Sequence, residues 1–361
     1  MNLSTRAPRE RAWVEVNLAN LVSNARTAVA AAQGARLLPM VKADAYGLGA
    51  PAVARALEEL DPWGFGVATV DEGVELRAAG IERPIVVFTP ASLEALPRYR
   101  KYRLTAVLDR EAEIRAWDGP FHVEIDTGMG RAGIRWDDVA GLSAISNSAL
   151  EGAFTHFHSA DVSAVSVDVQ WTRFMRALER MPVKPRLLHA ANSAGIWRLR
   201  EHLNLVRPGI FLYGGRPGGD LPAPAPVVAL RARVVSTRVL PQGEAVSYGA
   251  EWRAPQPTAV ATLGIGYADG VSRAVQGKAY VLMGGRICPV IGRVTMDMLM
   301  VDAGPPEMAP APGEVATLIG SDGSREITVD RFAEWSGTIS YEVLTRLGRR
   351  LPRIYGEFSI G

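Results

Sequence analysis

Arg36-Leu37-Leu38-Pro39-Met40-Val41-Lys42-Ala43 is an apolar run of strand length that delivers a charged residue at its end, and Asp44-Ala45-Tyr46-Gly47-Leu48-Gly49 follows it. Pro51, a residue suited to a first helical turn, then leads into the helical stretch 53–60. A strand, a turn and a helix in this order form the unit from which parallel α/β folds are assembled. The same kind of run recurs at 63–69, 83–90, 104–109, 121–127, 151–158, 186–192 and 203–212. These segments are short and rich in Val, Ile, Leu or Phe, and several close on Gly, Ser, Thr, Asp or Pro. Between them, 71–80 starts acidic and stops at Gly80, and 168–180 spaces Val169, Phe174 and Leu178 at helical intervals. Eight strands with interposed helices predict a (β/α)8 TIM-type barrel, with an open α/β sheet as the structural alternative.

From 214 to 226 the pattern breaks into Gly-Gly-Arg-Pro-Gly-Gly-Asp-Leu-Pro-Ala-Pro-Ala-Pro, which reads as a crossing or linker. Downstream, 227–240, 258–265, 279–283 and 287–291 are strand-like and separated by glycine-containing turns, with a short helix expected at 329–335. The fold class is therefore α/β plus β. The expected domains are a barrel over 10–227 and a mainly β domain over 228–361, the latter joined by residues 1–9.

The chain has 361 residues, 40 Lys+Arg against 38 Asp+Glu, and a formal charge of +2, so it can bury a large core and does not read as a polyanion binder. Its single cysteine, Cys288, excludes an intrachain disulfide and a cysteine-rich metal centre. No apolar run reaches the length of a membrane span, and the start develops no signal-peptide core. A cytoplasmic protein is expected, without nucleic-acid or membrane partners. The five histidines form no recognised metal frame: His156 and His158 are two apart, while His122, His189 and His202 are scattered along the chain. No dinucleotide fingerprint, Walker motif or nucleophile elbow is present.

A lysine leaving an apolar strand at the presumed active face is partly desolvated, which favours the neutral, nucleophilic amine. The competing reading is a lysine that snorkels into water. Lys42 and its surroundings resemble the cofactor-lysine signature of the bacterial alanine racemases, barrel enzymes that bind pyridoxal 5'-phosphate (PLP). The resemblance extends through Ala19-Asn20-Leu21-Val22-Ser23-Asn24, Ile125-Asp126-Thr127-Gly128-Met129-Gly130-Arg131, Thr155-His156-Phe157 and His189-Ala190-Ala191-Asn192-Ser193. It continues through Val246-Ser247-Tyr248-Gly249, Gly264-Ile265-Gly266-Tyr267-Ala268-Asp269-Gly270 and Gly292-Arg293-Val294-Thr295-Met296-Asp297. The matches follow the family's order over nearly the whole chain.

This resemblance implies that Lys42 holds the cofactor covalently and acts as one base, taking the α proton from the D enantiomer. Tyr248, contributed across a homodimer interface, would be the opposing base for the L enantiomer. Two bases are needed because the proton leaves one face of the carbon and returns on the other. The family pattern assigns Tyr46, Ser193, Tyr341 and the backbone of Gly209 and Ile210 to the phosphate, and sets Arg207 against the pyridine nitrogen. It assigns Arg131, and the amide of Met296 from the opposing subunit, to the substrate carboxylate. It gives His156, Asp161 and Asn192 supporting places around the cofactor, makes Tyr267 and Tyr341 the gate, and implies that Asp297 steadies the loop beside Met296. Read without the family, Tyr248 is a packed turn tyrosine, Ser193 a helix cap, Gly209 a bend, His156 a core histidine, and Arg131 and Arg207 solvated arginines.

Two positions depart from the family pattern. Glu124 stands where many relatives have a carbamylated lysine, and its carboxylate could support Arg131 without modification. Thr295 stands where relatives often have cysteine. The resemblance implies interconversion of L- and D-alanine, supplying D-alanine for peptidoglycan. Preference for serine or another small amino acid, a PLP-binding homeostasis protein without efficient turnover, and an unrelated phosphate-binding barrel are the alternatives.

Overall fold

The computed structural model describes residues 10–138, 141 and 149–356. They divide into two compact units, one from Val22–Pro224 and the other from the described parts of Met1–Leu21 and Ala225–Gly361. Strand β1 (Ala12–Asn17) belongs to the second unit. Within the first, β2 (Arg36–Leu37), β3 (Phe65–Val67), β4 (Ile85–Val87), β5 (Ala106–Val107) and β6 (Phe121–Asp126) follow in order, with β7 (Ile134–Arg135) paired onto β6. β8 (Leu150–Phe154), β9 (Leu187–Asn192) and β10 (Leu205–Arg207) complete the set. Parallel pairings join β5, β6, β8, β9, β10 and β2 in space, and β3 pairs with β4. Bridges from Met40 to Gly66 and from Val86 to Thr105 close the ring. This is the eight-stranded parallel barrel; seven strands fall inside the apolar runs of the sequence, and β8 starts one residue before the run at 151–158.

Several barrel strands are buried along their whole length, as expected where helices cover one face and side chains fill the other. The helices read differently. Ala164–Arg180 buries Val167, Gln170, Phe174, Ala177 and Leu178 on one stripe, with Trp171 packed beside it, while Val169, spaced with Phe174 and Leu178 in the sequence, is exposed. Val70–Ala78 begins with a capping box in which Thr69 and Glu72 satisfy each other's backbone amides.

The second unit is mainly β. Its strands are β11 (Val228–Leu240), β12 (Ala245–Val246), β13 (Trp252–Arg253), β14 (Thr258–Leu263), β15 (Tyr280–Met283), β16 (Arg286–Ile291), β17 (Leu299–Gly304), β18 (Val315–Asp322), β19 (Arg325–Ile327) and β20 (Arg353–Gly356). Strands β11, β14, β17, β16, β15 and β18 pair in that order, and β18 returns to β11, so six strands close on themselves. The thirteen-residue β11 serves β1 and β18 with its first half and β14 with its second. A helix at Val329–Ser336 is joined by a second at Ser340–Thr345.

The compact units differ from the expected 10–227 division. β1 pairs antiparallel with β11 and parallel with β20, so the segment from residue 10 to Leu21 lies with the β unit. Residues 1–9, expected to join that unit, lie outside the described residues. No helix among the described residues is long and apolar enough to cross a membrane.

Candidate active site

The C-terminal ends of the barrel strands gather most of the residues singled out by sequence. Lys42 follows Val41, whose amide bonds the Gly66 carbonyl at 2.8 Å. The chain then makes a left-handed helical turn, with Ala43, Asp44, Ala45 and Tyr46 all at φ between 52° and 56°. Each L-residue in that conformation costs about 1–2 kcal/mol, so the turn persists only because it is tied on several sides. Glu72 Oε1 accepts from the Ala43 amide at 2.6 Å, Asp44 Oδ1 from the Ala50 amide at 2.7 Å, and the Val41 carbonyl from the Ala45 amide at 2.8 Å. Burial first, then the positive charges of Arg131 and Arg207, push the Lys42 amine below its ordinary range, while Glu72 opposes them.

Arg207, at the end of β10, is buried and held by four neighbours. Nη1 donates to Nδ1 of His189 at 2.7 Å, and Nη2 donates to the Thr155 carbonyl at 2.7 Å. Nη2 also faces the Ala190 carbonyl at 3.2 Å and Nδ1 of His156 at 3.4 Å. Desolvation lowers its pKa to about 10, which still leaves the guanidinium charged at neutral pH. Burial and the nearby cations push His156 down to about 3, so it is neutral and can accept from Arg207.

Ser193, just after β9, accepts at Oγ from the Gly209 amide at 2.8 Å and from the Phe211 amide at 3.4 Å, which leaves its own hydroxyl hydrogen to donate. Gly209 lies against the Tyr46 hydroxyl so closely that a Cβ would collide with it. Ile210 begins the following tight turn, and Tyr46 stacks on Tyr213 at 4.5 Å. Asn192 bonds the Gly195 amide through Oδ1 at 2.9 Å, so it shapes this turn.

Arg131 ends a loop pinned by Asp126, whose carboxylate accepts from the Gly128 and Gly130 amides at 2.9 and 3.1 Å. Glu124 Oε1 lies 3.7 Å from Arg131 Nη2 and is nearly inaccessible. Burial raises its pKa, and the charge of Arg131 opposes the rise. Gly133 makes room for Glu124, since a Cβ there would come within 2.9 Å of its Cγ. Asp161 is exposed, and its backbone carbonyl, rather than its carboxylate, lies 3.5 Å from Arg198.

These groups fit PLP by their own chemistry. The site offers an amine shifted toward neutrality, a serine whose hydroxyl hydrogen is left to donate to a phosphate beside the Tyr46 hydroxyl, and a buried cationic arginine at the strand end.

The remaining residues belong to the β unit. Tyr248 is 70% exposed and lines an open cavity of about 590 Å³ with Arg238, Ser247, Thr262, Thr295 and Met298. Ser247, at φ 66°, hydrogen-bonds the Arg293 carbonyl at 2.7 Å and so sets the turn that carries Tyr248. Gly266 allows a close approach to the backbone of Thr295 and Met296. The Tyr267 and Ala268 amides bond the carbonyls of those two residues at 3.0 Å each. Asp297 pairs with Arg350 at 2.8 Å, and Arg350 also reaches the buried Asp269. Thr295 hydrogen-bonds the Met298 carbonyl and amide at 2.8 and 3.1 Å, while Met296 and Tyr341 are exposed.

Some members of the site gave little sequence signal. Glu72 and Asp44 hold the turn after Lys42, and either reads as an ordinary polar residue. His122 and His189, far apart in sequence, meet at 2.9 Å inside the barrel, which corrects their reading as scattered. Alternation along β6 was the available clue, because His122 and Glu124 share one face of a strand.

The alanine racemase N-terminal domain matches residues 16–217 and the alanine racemase C-terminal domain matches residues 227–355. An alanine racemase of Carboxydothermus hydrogenoformans is 38% identical over 95% of this chain and 99% of its own length. The alanine racemase of Bacillus anthracis, solved with bound L-Ala-P, superposes with a TM-score of 0.90 at 32% identity, covering 98% of this chain and 97% of its own. That of Bartonella henselae, solved with covalently bound pyridoxal phosphate, gives 0.89 at 29% identity over 96% and 100%. A histidine racemase from Leuconostoc mesenteroides gives 0.87 at 28% identity over 98% and 100%. With both domain signatures matched in order and relatives alike over nearly their full length, the chain belongs to the alanine racemase family.

Proposed function

We propose that this protein interconverts L- and D-alanine with PLP as cofactor, Lys42 and Tyr248 serving as the two bases. The observation that carries this reading is the placement of Lys42 at the barrel mouth with Arg207, on a turn tied by Glu72 and Asp44; burial and the charges of Arg131 and Arg207 push its amine below the ordinary range. Bound PLP would supply an electron-withdrawing ring that makes the α proton of an amino acid acidic. Lys42 would hold it, Ser193, Tyr46, Tyr341 and the Gly209–Ile210 backbone would take the phosphate, and Arg207 would face the ring nitrogen. Because Arg207 keeps its proton, that nitrogen would stay unprotonated and the ring would be a restrained electron sink.

Arg131, together with the Met296 amide of a second copy of the chain, would orient the substrate carboxylate, with Glu124 steadying Arg131 through opposite charge. Lys42 Nζ would take the proton from D-alanine and return it in the reverse direction. Tyr248 Oη would do the same for L-alanine from the opposite face, supplied by a second copy of the chain in a homodimer. His156 and Asn192 would shape the pocket, and Tyr267 and Tyr341 would narrow substrate access. We place the enzyme in the cytoplasm, where its product would feed peptidoglycan synthesis.

Purified protein incubated with PLP and single L-amino acids, followed by chiral chromatography, tests the assignment. L-alanine should approach equal amounts of both enantiomers. Conversion of serine or histidine with negligible conversion of alanine would overturn the substrate choice. Lys42→Ala should lose the cofactor's bound absorbance, and Tyr248→Phe should keep that absorbance while losing L-to-D turnover. Unchanged exchange of the α proton in both directions after the tyrosine change would remove the two-base assignment.

A further inference from the structure

Behind Arg207 lie two histidines to which the proposed mechanism gives no role. His122 on β6 and His189 on β9 are fully buried. Trp63 and His189 flank His122, and Phe154 stacks on His189 at 5.0 Å. The His122 ring fits only because residue 152 is glycine: a Cβ there would come within 2.7 Å of three ring atoms. Barrel interiors ordinarily fill with branched apolar side chains, and imidazoles in such a place cost stability unless their polar atoms are paired.

The contacts dictate where each proton sits. Arg207 can only donate, so Nδ1 of His189, 2.7 Å away, is a bare acceptor. His189 is held neutral by burial and by the charge of Arg207, so its single proton is on Nε2. That nitrogen lies 2.9 Å from Nδ1 of His122, which therefore accepts. His122 is also kept neutral by burial, which puts its proton on Nε2. No hydrogen-bond partner meets that N–H among the described residues, and the nearest charge is Glu151 Oε2 at 3.7 Å. Glu151 stands at the start of β8, with Arg186 3.4 Å from its other oxygen. Every N–H in the series runs one way, from the C-terminal end of β10 to the N-terminal end of β8.

We propose that His189, His122 and Glu151 are positioning residues for Arg207: two hydrogen bonds run one way from the guanidinium through both imidazoles, the last N–H faces the Glu151 carboxylate across 3.7 Å, and the series fixes the guanidinium where the cofactor ring sits. The proposal rests on the functional reading above, which gives Arg207 its place. The two imidazole dipoles present their negative ends to Arg207 and their positive ends to Glu151, so each link strengthens the next. A leucine at position 122 would leave the His189 N–H without an acceptor and let that ring, and with it the guanidinium, change orientation.

Holoenzyme labelled with 15N at histidine tests the chain. Both rings should show the signature of a protonated Nε2 and a bare, hydrogen-bonded Nδ1. His122→Leu should change the His189 signals, shift the absorption band of bound PLP and lower kcat about tenfold with KM for alanine within about twofold. His122→Gln, whose amide can accept from His189 and donate onward, should recover most of that loss. Glu151→Gln, an isosteric change at a partly accessible site, should act in the same direction by about threefold and decides the matter should His122→Leu not fold. A protonated Nδ1 on either ring would overturn the proposal. So would wild-type kcat and absorbance in both variants with only Tm lowered. Tautomers are read without turnover, so a reversed chain in an active racemase sinks this inference alone. An inactive wild-type protein with the expected tautomers sinks the functional reading instead.

Discussion

Glu124 sets a buried carboxyl against the arginine proposed to hold the substrate carboxylate. Its carboxylate is buried 3.7 Å from Arg131, whose side chain is itself largely exposed, so two opposing costs meet there. Burial raises the carboxyl pKa, and the arginine's charge only partly offsets that. A raised folded-state pKa contributes stability that is fully present below the ordinary value of 4.5 and is lost as pH rises through the raised value. Glu124→Gln removes that loss, so its Tm relative to wild type should climb between pH 4.5 and 8; calorimetry across that range checks the sign, and a relative decline would contradict it. Without its counter-charge Arg131 should hold the substrate carboxylate less firmly, raising KM for alanine about three- to tenfold, the effect of a hydrogen-bond-sized interaction. Unchanged kcat and KM in steady-state assays would remove Glu124 from the substrate site.

Among the elements, the left-handed turn after Lys42 is the one whose energy and duty pull apart. Four consecutive L-residues pay for αL backbone there, and the anchors from Glu72, Asp44 and Val41 hold them in place. Ala43 is exposed, so a change at this position acts through backbone preference and not through packing. Ala43→Gly should raise Tm of the cofactor-free protein by about 2–4 °C, the shift of about 1 kcal/mol, while lowering kcat because the residue that follows Lys42 is freer. Ala43→Val should lower Tm and weaken PLP retention, since a β-branched residue tolerates positive φ poorly. Equal melting temperatures for the two variants would mean that the turn is not under strain. This turn also marks where sequence reading stops. The eight barrel strands were legible because each is an apolar run bounded by turn residues, even the two-residue β5 at Ala106–Val107. Lys42 stood out as a charge closing the first run, but its proposed role came from the resemblance of its surroundings to the family's cofactor-lysine signature. Nothing in Ala43-Asp44-Ala45-Tyr46 signals a left-handed path, because those residues prefer other backbone regions and tertiary hydrogen bonds override the preference. The His122–His189 contact stayed hidden for a related reason: barrel closure, a long-range property, brings β6 and β9 to the same interior.

At the scale of the whole molecule, the two proposed bases sit in different compact units, Lys42 in the barrel and Tyr248 in the β unit, and Tyr248 is 70% exposed. An exposed tyrosine on the rim of an open cavity needs another surface before it can act as a base in a water-excluding site. The proposed two-fold homodimer would supply that surface twice, because an isologous pairing would place each chain's tyrosine at its partner's lysine. The arrangement makes a quantitative demand on mixtures. Lys42→Ala and Tyr248→Ala proteins, each inactive alone, should regain activity when dissociated and reassociated together. In a mixed dimer one site carries both substitutions and the other carries neither. Half of the dimers in an equimolar mixture are mixed, so recovery should approach about a quarter of wild-type kcat per chain. The assay is D-alanine formation at increasing ratios of the two variants, with dimer content followed by sedimentation. A mixture that is fully dimeric yet stays inactive would mean that Lys42 and Tyr248 of one chain serve the same site, and the shared-site homodimer would have to be abandoned.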